Sequence, residues 1–402
     1  MRILHVNMAY SGGGLEQYLL QVFVELENRG HKNLFLYGEA DSGPQCAYRA
    51  DTFFVENVTH LHCPDLPAKL KRVQRILDDQ TPDLVFIHQV LNPSLIGLLT
   101  KQKPSVLYMH GFKIVCPDGR KTLQTKGEAC PFPLSRRCQT RAYCYRCMPR
   151  NPLVGMPLIS NSKCLGDVHR QRSPIVVASG FMKKVLLYNG FGADSISVIP
   201  YFTYLPEPDV PRPSGQEQLI LALGRLVPEK GMHHLIRAFS RIHPPFKLAV
   251  VGDGPALPSL KQLSQELGIS TGLHFSGWLP HDKLEALYRQ CRIVVVPSVW
   301  PEPFGIVGIE AMAYAKPVIA FDVGGVSEWL SDGRTGFLVR PKDEGDLLDK
   351  MVFLLEHSES CSAMGLEGRM EVEKRFTPDS HLDLLLSLFR KTIQAFGSRV
   401  AK

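Results

Sequence analysis

Pro297-Ser298-Val299-Trp300-Pro301-Glu302-Pro303-Phe304-Gly305-Ile306-Val307-Gly308-Ile309-Glu310-Ala311-Met312-Ala313 is the stretch that decides how this chain is read. It follows the apolar run Ile293–Val296, so it begins where a buried strand ends. A short loop holds Glu302, and a helix then opens near Gly305 and carries Glu310. A helix start offers unpaired N–H groups and a positive dipole end, which suit a diphosphate. Gly305 lets the backbone approach a ligand closely. Two carboxylates are poor phosphate contacts but good acceptors for vicinal hydroxyls. A sugar joined to a nucleotide supplies all of these groups. The plainer alternative is a glutamate that only favours its own helix dipole.

Moving outward, Gly224-Arg225-Leu226-Val227-Pro228-Glu229-Lys230-Gly231 again follows an apolar run. Arg225 and Lys230 are fixed cations of the kind that stabilise charge on a departing diphosphate. Read alone, they are equally two solvated surface cations. Gly12-Gly13-Gly14-Leu15-Glu16 follows the first strand. It does not fit G-x-G-x-x-G, because position 17 is Gln, so dinucleotide binding has little support. His110 ends the run Val106–Met109, and Gly252-Asp253-Gly254-Pro255 reads as a tight turn after a strand.

These motifs sit in a repeating pattern. Ile3–Val6, Asn33–Tyr37, Leu84–His88, Val106–His110 and Ile175–Ala178 read as strands, with a helix over Glu16–Glu27. A proline-rich stretch, Pro206, Pro208, Pro211 and Pro213 with Ser214-Gly215, reads as a linker. Leu219–Leu223, Leu248–Val251, Leu273–Phe275, Ile293–Val296 and Val318–Phe321 then resume the alternation. The runs are continuous rather than alternating, as in parallel strands covered on both faces. Strand–helix–strand repeats imply right-handed crossovers and two doubly wound sheets, with ligands at the carboxyl ends of strands. A length of 402 residues suits two domains, and 44% apolar with 21% charged residues describes a globular chain. No run is long and apolar enough for a transmembrane helix, and the N-terminus reads as a strand rather than a signal peptide. A cytoplasmic protein, peripheral at the inner face of the membrane, is the expectation. The net charge of +7 favours phosphate in any form without choosing among forms.

With Glu-x-Phe-Gly-x4-Glu intact at Glu302–Glu310 and Gly-Arg-x4-Lys-Gly at Gly224–Gly231, the chain resembles the retaining GT-B glycosyltransferases of family 4. The resemblance covers most of the chain and is specific from about Leu219 to Val339. It implies an α/β protein with two Rossmann-like parallel-sheet domains facing across a cleft. Residues 1–203 would form the acceptor domain, completed by a C-terminal helix over 380–402, and 204–379 the donor domain. By the resemblance, Glu302 contacts the transferred sugar and Glu310 the ribose. Phe304, Gly305, Ile306 and Val307 present backbone amides to sugar and phosphate, and Arg225 and Lys230 hold the pyrophosphate. Backbone at Gly277 and Leu279 faces the base, amides at Gly13 and Gly14 face phosphate and acceptor, and His110 hydrogen-bonds the donor sugar. The implied reaction moves a sugar from a nucleotide-diphosphate sugar to a glycan or lipid-linked hydroxyl by front-face substitution. No Asp-x-Asp motif is evident, so no metal is expected in catalysis. Two departures are Ala315, where the family often has glycine and a small packing effect is expected, and Tyr201, where it often has asparagine. The competing readings are a nucleotide-sugar epimerase on the same frame and a non-catalytic binding subunit.

Five of the ten cysteines, Cys116, Cys130, Cys138, Cys144 and Cys147, crowd into a segment spanning about 112–150. Cys144-x-x-Cys147 is half of a structural zinc site, to be completed by two of Cys116, Cys130 and Cys138, with Cys116 and Cys130 the expected pair. Ordinary thiols, or disulfides in an oxidising compartment, are the alternatives. The same segment carries Arg136, Arg137, Arg141, Arg146 and Arg150, and another basic helix carries Lys69, Lys71, Arg72 and Arg75. Both suit either contact with anionic lipid or a solvated face. Nothing marks a nucleic-acid-binding motif.

Overall fold

The computed structural model describes residues 1–9, 14–39, 50–207, 219–242 and 245–400. Gly12, Gly13, Cys46 and most of the proline-rich linker lie outside the described residues. The chain divides into two compact units, one of Met1–Lys126, Cys130–Pro200 and Asp379–Lys402, the other of Gly127–Ala129 and Tyr201–Pro378.

The first unit contains β1 (Arg2–Ala9), α1 (Gly14–Asn28), β2 (Lys32–Glu39), β3 (Asp51–Phe54), α2 (Leu66–Gln80), β4 (Leu84–Ile87), α3 (Pro93–Gln102) and β5 (Ser105–Met109). The short strand β6 (Thr122–Leu123) comes next, then, beyond the two-residue β7 (Glu128–Ala129) that is grouped with the second unit, α4 (Cys138–Tyr145), α5 (Pro152–Arg172), β8 (Ile175–Val177), α6 (Gly180–Tyr188) and β9 (Ile196–Val198). The main sheet has the order β3-β2-β1-β4-β5-β8-β9, and its described pairings are parallel. β4 and β5 are buried throughout and almost wholly apolar, as strands covered on both faces must be, and the one short polar side chain, Ser105, donates to Lys103 O. Helix starts are fixed locally: Asn92 accepts from the N–H groups of Ser94 and Leu95, and Ser179 from that of Met182.

The second unit runs β10 (Leu219–Leu223), α7 (Met232–Phe239), β11 (Lys247–Val251), α8 (Leu257–Glu266), β12 (Leu273–Gly277), α9 (His281–Gln290), β13 (Ile293–Val296), α10 (Ile306–Ala313), β14 (Val318–Phe321), β15 (Gly336–Val339), α11 (Glu344–Glu356) and α12 (Ser358–Arg375). Its sheet has the order β12-β11-β10-β13-β14-β15, again parallel. The core packs Ile220, Ile236, Val250, Val295, Ile319, Phe321 and Met351 between sheet and helices. The strand order reverses direction between β10 and β13, which leaves a crevice at their carboxyl ends.

The last helix, α13 (Pro378–Val400), belongs to the first unit. Phe389 meets Phe86 edge to face at 4.9 Å, and His381 bonds both Tyr18 and the carbonyl of Pro200.

Ala315 differs from expectation. It stands in the left-handed region at φ 54, just beyond α10, with its N–H bonded to Met312 O. Glycine is favoured there because a Cβ strains this conformation, so the consequence of alanine is backbone strain rather than packing. Ala315→Gly is expected to stabilise the second unit by about 1 kcal/mol, seen as a higher urea midpoint with unchanged slope. An unchanged or lower midpoint would contradict it.

Candidate active site

The two cation- and carboxylate-bearing loops follow β10 and β13, the neighbouring strands at the switch point. They are locked together by backbone. A Cβ at Gly231, which has φ 66, would lie 1.9 Å from Pro297 O, so only glycine allows this approach. Val299 N–H donates to Glu229 O at 2.9 Å, and Ser298 Oγ lies 3.3 Å from the same carbonyl.

This clamp brings three side chains to one point. Lys230 Nζ is 2.5 Å from Glu302 Oε1, and Ser298 Oγ donates to that oxygen at 2.6 Å. Glu302 is 4% exposed. An ionised carboxylate so far from water is tolerated because a cation and a hydroxyl compensate it. Both bonds fall on Oε1, so Oε2 is left to accept from another group. Lys230 lies 5.5 Å from the Trp300 ring centre and has three donors, of which Glu302 takes one. Gly325 N–H donates to Glu302 O, and the left-handed Gly324 packs where a Cβ would lie 2.2 Å from that carbonyl.

α10 starts at Gly305, whose φ of 99 turns the chain into the helix. Trp329 Nε1 donates to Phe304 O at 2.6 Å, and its ring covers Gly308, where a Cβ would lie 2.0 Å from the indole. One turn on, Glu310 Oε2 accepts from the buried Tyr288 hydroxyl at 3.0 Å. Burial, then the Glu310 charge, pushes that phenol well up from its ordinary value, so it remains a donor. Arg225 is exposed beyond β10. Gly277 ends β12 at φ 67 with its carbonyl accepting from Gly252 N–H, Leu279 follows half-buried, and Trp278 between them is 68% exposed.

In the first unit a line of imidazoles runs from the middle of β1 to the ends of β4 and β5. His5 Nε2 lies 3.3 Å from Asn33 Oδ1, His5 Nδ1 lies 3.4 Å from His88 Nε2, and His88 Nδ1 lies 3.1 Å from His110 Nε2. Asn33 Nδ2 donates to Phe23 O, which leaves Oδ1 as an acceptor and sets the tautomers in turn. His5 carries its proton on Nε2, so does His88, and so does His110, whose Nδ1 then holds the lone pair. Burial keeps the rings neutral: it pushes His5 and His110 to about 3 and His88 well down. His110 packs against Tyr18 and Tyr108, and Tyr18 donates to His381 Nε2 at 2.9 Å. Gly14 opens α1 beyond β1.

The family profile described as Glycosyl transferases group 1 matches residues 207–370, and that described as Glycosyltransferase Family 4 matches residues 12–147. The D-inositol 3-phosphate glycosyltransferase of Nocardia farcinica is 30% identical over 393 residues, which cover 89% of this chain and 80% of that one. The chain belongs to the family 4 glycosyltransferases. Some other alignments are shorter, one at 40% identity reaching 33% of its relative's length. Among solved structures, sucrose-phosphate synthase from Thermosynechococcus elongatus superposes with a TM-score of 0.76 at 21% identity, covering 98% of this chain and 99% of that one. The Anabaena protein HepE in complex with UDP and glucose gives 0.71 at 19% identity, covering 99% and 100%. At those identities the likeness shows the GT-B fold.

In this glycosyltransferase, Lys230 and Glu302 meet directly, while Glu310 sits on the helix that follows, bonded to Tyr288. Ser298, Tyr288 and Trp329 escaped the sequence reading, as did His5, His88 and Asn33. Of these only His88, at a strand end like His110, carried a signal that sequence reading can use. The expected fourth zinc ligand, Cys144, is exposed. It lies six residues beyond Cys138 on α4, which turns it about 120° to the other side of the helix, and Cys138 takes the inward position. Among the described residues, no three His, Cys, Asp or Glu side chains are already placed to hold a metal ion.

The buried imidazoles have a pH consequence. Their folded pKa values lie below the unfolded value of 6.5, with His381 at about 4, so the stability they permit is complete above 6.5 and lost as pH falls toward 3. At pH 5 each costs on the order of 2 kcal/mol. Thermal unfolding of the first unit is expected to fall steeply between pH 6.5 and 5, and a flat profile would contradict neutral histidines.

Proposed function

We propose that this glycosyltransferase is a retaining enzyme that takes its sugar from a nucleotide-diphosphate sugar. The observation that carries the reading is the Ser298–Glu302–Lys230 cluster beside the start of α10. Lys230 and Arg225 neutralise the diphosphate, and the amides of Phe304, Gly305, Ile306 and Val307 add donors at a positive helix end. Glu302 Oε2 accepts from a hydroxyl of the transferred sugar. Glu310, oriented by Tyr288, accepts from the ribose. Backbone at Gly277 and Leu279 reads the base, and His110 accepts from a sugar hydroxyl through Nδ1. Gly13, outside the described residues, and Gly14 offer amides to phosphate and acceptor.

Bond breaking between the anomeric carbon and the phosphate oxygen sends the electron pair to the diphosphate. The acceptor hydroxyl attacks the same face, and its proton passes to the departing phosphate oxygen. The protein supplies position and charge. Glu302 is paired with Lys230 and Glu310 with Tyr288, which suits holding a donor better than the nucleophile role of a retaining glycosidase. The acceptor is a glycan or lipid-linked hydroxyl. Exposed Lys71, Arg72 and Arg75 on α2 favour an anionic surface where a lipid-linked acceptor would lie. Among the described residues, no helix is long and apolar enough to cross a membrane.

UDP-sugars are the first donors to test, because HepE was solved with UDP and glucose. A true donor raises the unfolding temperature in proportion to its affinity and slowly releases nucleoside diphosphate without acceptor. Lys230→Ala is expected to lower turnover by about 10²–10³, as removal of one charge-stabilising donor does elsewhere, and also to lower the unfolding temperature by leaving the buried Glu302 without its cation. Near-normal turnover, an interconverted sugar, or a product of inverted anomeric configuration by NMR would each overturn the reading.

A further inference from the structure

The segment between β5 and α5 has little regular structure, although Phe112, Ile114, Val115 and Leu123 are buried. Its regular structure is two two-residue strands and the eight-residue α4, and around α4 only Ala142, Met148 and Ile159 form a small buried cluster. Yet it is not loosely built. Cys116, Cys130, Cys138 and Cys147 line one cavity of about 30 Å³, together with Lys121 and Arg141. They arrive from four separate places: a turn after β5, the residue following β7, the first residue of α4, and a loop two residues past its end. None of the four is in a disulfide.

We propose that Cys116, Cys130, Cys138 and Cys147 are the ligands of a structural zinc ion. Four thiols in one small chamber match the tetrahedral, all-sulfur set that zinc takes in closed structural sites. Cys116 sits in a tight turn. That turn is closed by Gly119 N–H on Cys116 O, with Gly119 and Lys121 both at positive φ. Cys130 is tied back by its own N–H on Lys121 O at 2.7 Å.

Charge is the second, independent observation. Zinc with four thiolates carries a net charge of −2, and binding releases four protons from the thiols to solvent. The cavity wall offers two cations. Lys121 is only 4% exposed and donates to Phe132 O. Arg141 stacks on Phe132 at 3.9 Å and has a buried Nη1 with no hydrogen-bond partner among the described residues. A buried Lys121 and a half-buried Arg141 with an orphaned buried N–H are costly around neutral thiols and are balanced by a dianionic centre. The thiols line the cavity without yet meeting. The metal has no part in sugar transfer. It ties together four places in a segment that has little regular structure.

The test is the metal content of the full-length protein purified without chelator under reducing conditions. About one zinc per chain is expected. Cys138→Ser and Cys147→Ser should bring this close to zero, while Cys144→Ser and Cys164→Ser keep it. Because the first two variants can fail to fold, wild-type protein stripped of metal is also titrated with cobalt(II). The intense visible bands of a tetrahedral tetrathiolate are expected, saturating at one equivalent. Zinc-free protein whose four thiols react freely with a thiol reagent would overturn the proposal. So would a disulfide among the four, iron in place of zinc, or loss of zinc in Cys144→Ser.

Discussion

Glu302 is a carboxylate held almost wholly out of water, and the second unit is arranged so that it can be. Left alone, such a charge would cost several kcal/mol. Its compensation comes from Lys230, 72 residues earlier in the chain, and from Ser298, four residues earlier. Those partners reach it only because β10 and β13 are neighbours and because Gly231 and Gly324 let backbones touch where a Cβ would collide. The sheet order, two glycines and one ion pair are therefore a single constraint. The Gly252 and Gly254 turn belongs to it as support: a Cβ at Gly252 would meet Gly224 O, and one at Gly254 would meet Leu226 O, beneath the cation-bearing loop.

The first unit solves a different problem. It buries imidazoles rather than a carboxylate, and it keeps them neutral by enclosure while satisfying each through its neighbour. α13 contributes to this arrangement, since His381 takes the Tyr18 hydroxyl proton and gives its own to Pro200 O. The helix is thus held by polar bonds as well as by its apolar stripe.

Most of the architecture was legible because the central strands are buried on both faces. Leu219–Leu223, Ile293–Val296 and Val318–Phe321 read with their observed bounds. The strands that escaped, Asp51–Phe54, Ile196–Val198 and Gly336–Val339, are all at sheet edges, where one side needs no covering and the apolar run is diluted. The site residues were nameable from motif spacing, but their pairings were not. Nothing local announces that Lys230 meets Glu302, or that Tyr288 bonds Glu310. The C-x-x-C spacing at Cys144 and Cys147 does not reveal which thiols share the cavity, because helical rotation rather than proximity in sequence turns Cys144 outward and Cys138 toward it.

The imidazole line also has a direction. Because Asn33 gives its amide hydrogens to Phe23 O, its oxygen dictates which nitrogen is protonated three rings away. Exchanging that amide for an isosteric group with the opposite polarity would reverse donor and acceptor at every ring in turn. A change at the back of the sheet would then alter what His110 can recognise, without moving a single atom of its backbone.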